Sequence, residues 1–266
     1  MTFSPGARLA LRLGMLVGLA IIYVPLLVVL INSLNTSRTF GWPPRGFTFE
    51  WWTRAADSTG LREAVLASVL IALAATAVAL ILGTMLAFAV QRYRFFGRQA
   101  VSLLVILPIA LPGIVTGIAL NAAFTAGGIP FGYLTVIVGH ATFCIVVVHN
   151  NVLARLRRLG TSLAEASMDL GANGFRTFWR ITLPQLRSSL VAGGLLAFAL
   201  SFDEIVVTTF TTSPGLRTLP VWIFENLFRP NQAPVVNVAA AALILLSIIP
   251  IWASQRLSSD PAGGRL

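Results

Sequence analysis

EASMDLGANGFRTFWRITLP, residues 165–184, is a polar stretch with glycine hinges, set between apolar segments too long for a soluble domain. It opens on Glu165-Ala166-Ser167, turns at Gly171 and closes on Ile181-Thr182-Leu183-Pro184. Arg176 and Arg180, four residues apart, share one helical face. A short polar helix pair held at a membrane surface reads as a docking element for a partner. What flanks it decides the fold.

The 266-residue chain is 56% hydrophobic and only 11% charged, with mean hydropathy +0.84. Soluble domains carry about 25% charged residues, so this composition belongs in a bilayer. A membrane-crossing helix needs about 20 apolar residues. Long apolar runs, most of them free of charge, predict six such helices, near 13–34, 64–91, 100–122, 133–152, 187–210 and 235–255. The third and fourth are separated at the turn cluster Gly127-Gly128-Ile129-Pro130-Phe131-Gly132. Arg8 and Arg12 precede the first span, as in a signal peptide, but its apolar run is too long and no small-residue cleavage site follows. A retained helix is expected there.

An even number of spans puts both termini on one side. That side holds thirteen arginines, among them Arg92, Arg94 and Arg98 in the short second loop, and the other side holds six. The excess marks the first side as cytoplasmic, and residues 165–184 with it. This bias also accounts for the net charge of +10, which in a soluble protein would suggest nucleic acid. All 19 basic residues are Arg. Without a lysine, no GxxxxGK[ST] phosphate loop exists, so any ATP that drives this protein binds another chain. Cys144, the single cysteine, sits in an apolar run and is expected to be a small buried residue. No HExxH, Ser-His-Asp set or metal-ligand spacing occurs, and no catalytic role is expected.

Within the docking stretch, Thr161 or Ser162 is expected to cap a helix with Glu165 in its first turn, where negative charge is favoured. Gly171 and Gly174 would allow a reversal with positive φ, and Leu183-Pro184 would start the fifth span. Outside the membrane on the opposite face, residues 35–63 carry Trp42, Trp51 and Trp52, expected at the interface. Residues 211–234 hold Ser213-Pro214-Gly215 and then Leu219-Pro220-Val221-Trp222-Ile223-Phe224, which reads as a short helix at the outer mouth, either a belt anchor or a gate.

The pattern Glu-Ala-Ala, three residues, Gly, nine residues, Ile-x-Leu-Pro resembles the EAA loop of ABC importer permeases. Glu165-Ala166-Ser167, Gly171, Ile181 and Leu183-Pro184 stand in full register, and only Ser167 departs, small for small. The resemblance implies an all-α, six-helix integral membrane protein, the transmembrane subunit of a type I importer, with a cytoplasmic coupling helix between helices 4 and 5. It implies helix 1 and an outer loop over 1–60, a transmembrane core over 61–256 with the coupling loop at about 160–184, and a cytoplasmic tail at 257–266. Glu165, Ala166, Ser167, Asp169, Leu170, Gly171, Ala172 and Arg176 would form the ATPase contact. Arg176 and Arg180 would meet ATPase carboxylates or lipid phosphate. The implied partners are a second homologous permease, two ATP-binding cassette subunits that hold ATP and Mg2+, an extracytoplasmic substrate-binding protein and membrane lipid. The implied location is the bacterial inner membrane.

Asp203 and Glu204 follow a 15-residue apolar run and are expected inside the fifth span. A carboxylate at a helix centre costs about 2.5–3.5 kcal/mol to insert. With no Arg partner inside the spans, a cationic substrate is one counter-charge; solvation at a water-filled mouth is the alternative. Leu200 to Phe210, with Arg217-Thr218-Leu219-Pro220, and Leu107 to Gly117 resemble the second permease of spermidine/putrescine importers. The resemblance implies a polyamine pathway touching Asp203 or Glu204, and Phe202, Phe210 and Trp222 are the candidates for cation–π faces. Related branches carry phosphonates, opines or ferric iron, and a proton-coupled carrier using Asp203 or Glu204 is a further alternative. His140, mid-span, reads as a helix–helix hydrogen bond or a pathway group. Pro108, Pro112, Gly113 and Gly117 are expected to bend span three, and Gly193 and Gly194 to bring helices close.

Overall fold

The computed structural model describes residues 4–39, 41–229 and 232–258. The described residues are helical apart from turns, loops and one isolated bridge, Asn35 to Phe47. In chain order the helices are α1 (Pro5–Asn32), α2 (Glu50–Asp57), α3 (Thr59–Arg92), α4 (Arg98–Ala110), α5 (Gly113–Ala126) and α6 (Tyr133–Leu159). There follow α7 (Ser162–Asp169), α8 (Gly174–Thr177), α9 (Leu183–Phe202), α10 (Val206–Thr211), α11 (Leu219–Asn226) and α12 (Ala233–Ser258). Most of the expected tail, 259–266, lies outside the described residues.

Four helices are long and apolar enough to cross a membrane, Gly6–Asn32, Thr59–Arg92, Tyr133–Leu159 and Gly174–Phe202, and the pair α4–α5 makes a fifth if taken as one span. Ala233–Ile248 is a shorter apolar helix. The third expected span is therefore not one rod: α4 and α5 meet at 106°. Pro112 supplies no N–H, and Leu111 before it takes the extended conformation (ψ 143°) that a following proline favours. Pro108, by contrast, is accommodated inside α4.

The chain divides into two compact units, Met1–Arg62 with Ile223–Leu266, and Glu63–Trp222. In the first, α12 packs on α1 and α2. α1 ends in a buried polar knot rather than in an aromatic belt. The Trp51 indole N–H donates to the Asn35 carbonyl at 2.8 Å, and Asn35 Oδ1 accepts from the backbone N–H groups of Ser37 and Arg45. Trp51 is buried and Trp52 half-buried, so of the three tryptophans expected at the interface only Trp42 is widely exposed. The knot ties the loop that follows α1 to the end of that helix, where freed backbone groups need partners.

In the second unit α6 is the central rod, packed along α9. Ala79, Ala87, Cys144, Val148, Val152, Leu186 and Ala197 form a core in which Cys144 is fully buried, as expected. Small residues bring the rods together, since apolar lipid offers no hydrophobic drive between helices and close van der Waals contact must supply it. A Cβ on Gly193 would stand 3.3 Å from Asn151 Cβ, and one on Gly194 3.5 Å from Leu80. On Gly83 it would stand 2.9 Å from the Ile145 carbonyl and 3.0 Å from Val148 Cβ. The obstacle at Gly83 is partly backbone and cannot swing away. Gly83→Ala should destabilise the protein by about 1–3 kcal/mol, seen as a lower unfolding temperature in detergent, whereas Gly174→Ala, with open space around the added carbon, should not.

Candidate functional site

The first candidate region is the loop between α6 and α9. α6 leaves the core, ends at Leu159, and the chain turns at Gly160 (φ 66°). α7 follows directly, with Glu165 in its first turn. Thr161 occupies the cap position but its side chain makes no capping hydrogen bond, contrary to expectation. The reversal after α7 is made at Gly171 (φ 85°) alone. Gly174 is not a second left-handed hinge; it is the first residue of α8, which Asn173 caps by accepting from Arg176 N–H at 2.9 Å. α8 then runs without interruption through a π-turn, Phe178–Thr182, into α9, giving one helix over Gly174–Phe202. The π-turn ends just before Leu183-Pro184, where Pro184 donates no backbone N–H.

α7 is fastened to this rod. Ser167 Oγ lies 3.1 Å from the buried Thr177 Oγ1, and Arg92 at the end of α3 reaches Met168 Sδ at 4.0 Å. The rest of the loop is presented outward: Glu165, Ala166, Asp169 and Arg176 are exposed, with Leu163, Phe175 and Leu170, the last 90% exposed. Ala172 is half-buried. Bare leucine and phenylalanine beside carboxylates and an arginine form a surface with an apolar centre and charged edges, the usual make-up of a protein contact.

The second region is the carboxylate pair, and here the expected fifth span over 187–210 needs correction. α9 stops at Phe202, Asp203 and Glu204 occupy a break, and the chain restarts as α10. Two adjacent acids can thus turn different ways. Glu204 is half-buried, and its Oε1 accepts the Val207 backbone N–H at 2.8 Å, capping the first turn of α10. Asp203 is exposed, and its carboxylate has no ion pair or hydrogen bond among the described residues. It stands at the C-terminal end of a 20-residue helix, where the macrodipole adds negative potential. Phe202 is half-buried and stacks on Phe198, one turn earlier, with ring centroids 5.8 Å apart.

The break is buttressed from α5 and α6. Asn121 donates to the Phe210 carbonyl at 2.6 Å and Thr135 to the Thr211 carbonyl at 2.7 Å. His140 Nδ1 lies 2.8 Å from Ser201 Oγ and its Nε2 2.8 Å from Thr208 Oγ1. His140 thus makes interhelical hydrogen-bond contacts through both ring nitrogens. A Cβ on Gly117 would meet Phe210 Cδ2 at 2.6 Å, so that glycine is the notch into which α10 packs. Trp222 is buried on α11, whose first residue, Leu219, donates its backbone N–H to Ser68 Oγ at 2.7 Å. Asn121, Ser201, Thr208 and Phe198 were not anticipated from the sequence. A lone amide such as Asn121 in an apolar helix was the one available signal.

Several helices of membrane length, with one bent pair and one broken helix, are the make-up of a multi-pass membrane protein. Residues 79–260 match the family described as binding-protein-dependent transport system inner membrane component, and the chain belongs to it. It is thus a multi-pass inner-membrane component of a binding-protein-dependent transport system. Over 245 residues it is 34% identical to the spermidine/putrescine transport system permease protein PotC of Escherichia coli (strain K12), covering 92% of each chain. It is 35% identical over 242 residues to the putrescine transport system permease protein PotI of the same strain, covering 87% of this chain and 84% of that one. A Salmonella typhi protein named for 2-aminoethylphosphonate transport, PhnV, is 30% identical over 228 residues, 85% of each. Among solved structures, a bacterial ABC transporter that imports the acidic polysaccharide alginate has the same fold, with TM-score 0.69 at 16% identity over 97% of this chain and 98% of that one.

The two carboxylates should separate in a stability measurement. Glu204→Ala removes a cap and should cost about 1 kcal/mol in detergent unfolding, whereas Asp203→Ala should stay within about 0.5 kcal/mol.

Proposed function

We propose that this chain is one permease subunit of an ATP-driven importer for polyamines, in which Asp203 meets the ammonium groups of the passing substrate. The observation that carries the reading is the exposed, unpartnered carboxylate of Asp203 at the negative end of α9, beside the stacked Phe198–Phe202 pair. Polyamines are ammonium groups on methylene chains, and carboxylate with aromatic face suits both parts. The substrates in the names of PotC and PotI are polyamines and that in the name of PhnV carries a phosphonate, but all share a primary alkylammonium end. A protein whose carboxylate is unpaired in its own chain and whose relatives are named for ammonium compounds is read most simply as an ammonium carrier.

The loop supplies the drive. Glu165, Ala166, Ser167, Asp169, Leu170, Gly171, Ala172 and Arg176 form the contact with a cytoplasmic ATP-binding cassette subunit. That subunit, present in two copies, holds ATP and Mg2+; this chain holds neither and catalyses no covalent step. A second, homologous permease completes the pathway, and an extracytoplasmic binding protein delivers the substrate. Both termini are cytoplasmic in this arrangement. Closure of the ATPase pair pushes α7. Because α7 is fastened to α8 through Ser167 and Thr177, and α8 is continuous with α9, the push arrives at the break that holds Asp203. The cavity then alternates between outward and inward access.

Glu165→Arg should abolish spermidine uptake while the protein still inserts, because a reversed charge at the contact blocks docking; retained uptake would contradict the coupling role. Asp203→Asn should lower spermidine-stimulated ATP hydrolysis by roughly tenfold at fixed ATP, the usual worth of a charged hydrogen bond. An unchanged response would remove Asp203 from the substrate path.

A further inference from the structure

Both ring nitrogens of His140 are committed across the gap between α9 and α10. Ser201, its partner through Nδ1, lies in the last turn of α9; Thr208, its partner through Nε2, lies in the first turns of α10. The Thr208 hydroxyl has one proton, and the geometry directs it to the Glu204 carbonyl at 2.9 Å. Nε2 must then carry the ring hydrogen and donate to Thr208, which leaves Nδ1 to accept from Ser201. One neutral tautomer satisfies every group in the chain Ser201–His140–Thr208–Glu204. The ring is 0% exposed, so it meets no solute itself. It is carried by α6, an unbroken 27-residue helix packed along α9.

From this geometry we infer that His140 is a positioning residue, a staple that joins the two ends of the broken helix and holds Asp203 in the direction in which it meets the substrate ammonium. The inference rests on the polyamine reading given above. Asn121 and Thr135 hold the far end of α10, at Phe210 and Thr211. His140 is the side-chain tie from α6 that spans the carboxylates themselves. Without it, the ends of α9 and α10 are connected by the short segment 203–205, the Glu204 cap and the Thr208 bond to the Glu204 carbonyl, none of which reaches Ser201, and Asp203 loses its fixed bearing.

The test uses the assembled importer in lipid nanodiscs, with its binding protein and subsaturating spermidine, and reads spermidine-dependent ATP hydrolysis. His140→Leu and Thr208→Val should each lower it about tenfold, because each strands a buried polar partner. Thr208→Ser, which keeps the hydroxyl, should retain activity within about twofold. His140→Leu combined with Asp203→Asn should be no worse than either alone, since both act through one carboxylate. If His140→Leu fails to assemble, the Thr208→Val and Thr208→Ser pair decides. Wild-type activity in Thr208→Val, or losses in His140→Leu and Asp203→Asn that multiply, would overturn the staple and leave the substrate role of Asp203 intact. Full activity in Asp203→Asn would instead remove the substrate role, and the purpose of the staple with it.

Discussion

A helix that stops within an apolar surround frees backbone groups that lipid cannot satisfy, and the second unit of this protein is organised around one such stop. α9 ends at Phe202, and within three residues the chain is helical again. The groups released there are taken up by side chains: Glu204 caps the new helix, Thr208 binds the Glu204 carbonyl, and Asn121 and Thr135 take carbonyls at its far end. Glycines at 117 and 139 let α5 and α6 approach α10 closely enough for those contacts. One acid is consumed in the repair and the other is left unpaired. The same break that threatens the helix thus leaves Asp203 exposed with an unpaired carboxylate.

In the proposed function the docking loop has a different task, which is to move that break from a distance. A flexible tether would absorb a push, whereas α7 is pinned at Ser167 and Met168 and leads by a single left-handed glycine into a helix that runs from Gly174 to Phe202. The π-turn at Phe178–Thr182 lies within that helix, which passes Pro184 without a stop. Ser167, the one departure from the small-residue motif, has a use here: its hydroxyl reaches Thr177, which an alanine could not do.

Much of this was legible in the chain. Long apolar runs located the membrane helices because lipid excludes charge over a fixed thickness, and Gly171 and Glu165-Ala166-Ser167 located the loop because their spacing is local. Gly193 and Gly194 were legible as close-contact residues. The break at 203–205 was not, since Val206 to Phe210 are as compatible with a continuing helix as with a new one; only the paired acids hinted at it. Gly174 and Trp51 were misjudged for a common reason: whether a glycine hinges or a tryptophan faces the interface depends on partners, Asn173 in one case and the Asn35 carbonyl in the other, that composition does not reveal. His140, Ser201 and Thr208 lie 61 and 68 residues apart in the chain, and no pattern along it joins them.

The central claim is that ATP hydrolysis on a separate subunit drives an ammonium solute past Asp203. The most direct measurement is accumulation of labelled spermidine by sealed membrane vesicles that hold the whole importer and its binding protein, with the proton gradient collapsed. The account predicts that accumulation persists while ATP is supplied and stops when ATP is withdrawn. Accumulation that follows the proton gradient and survives the loss of ATP would contradict it.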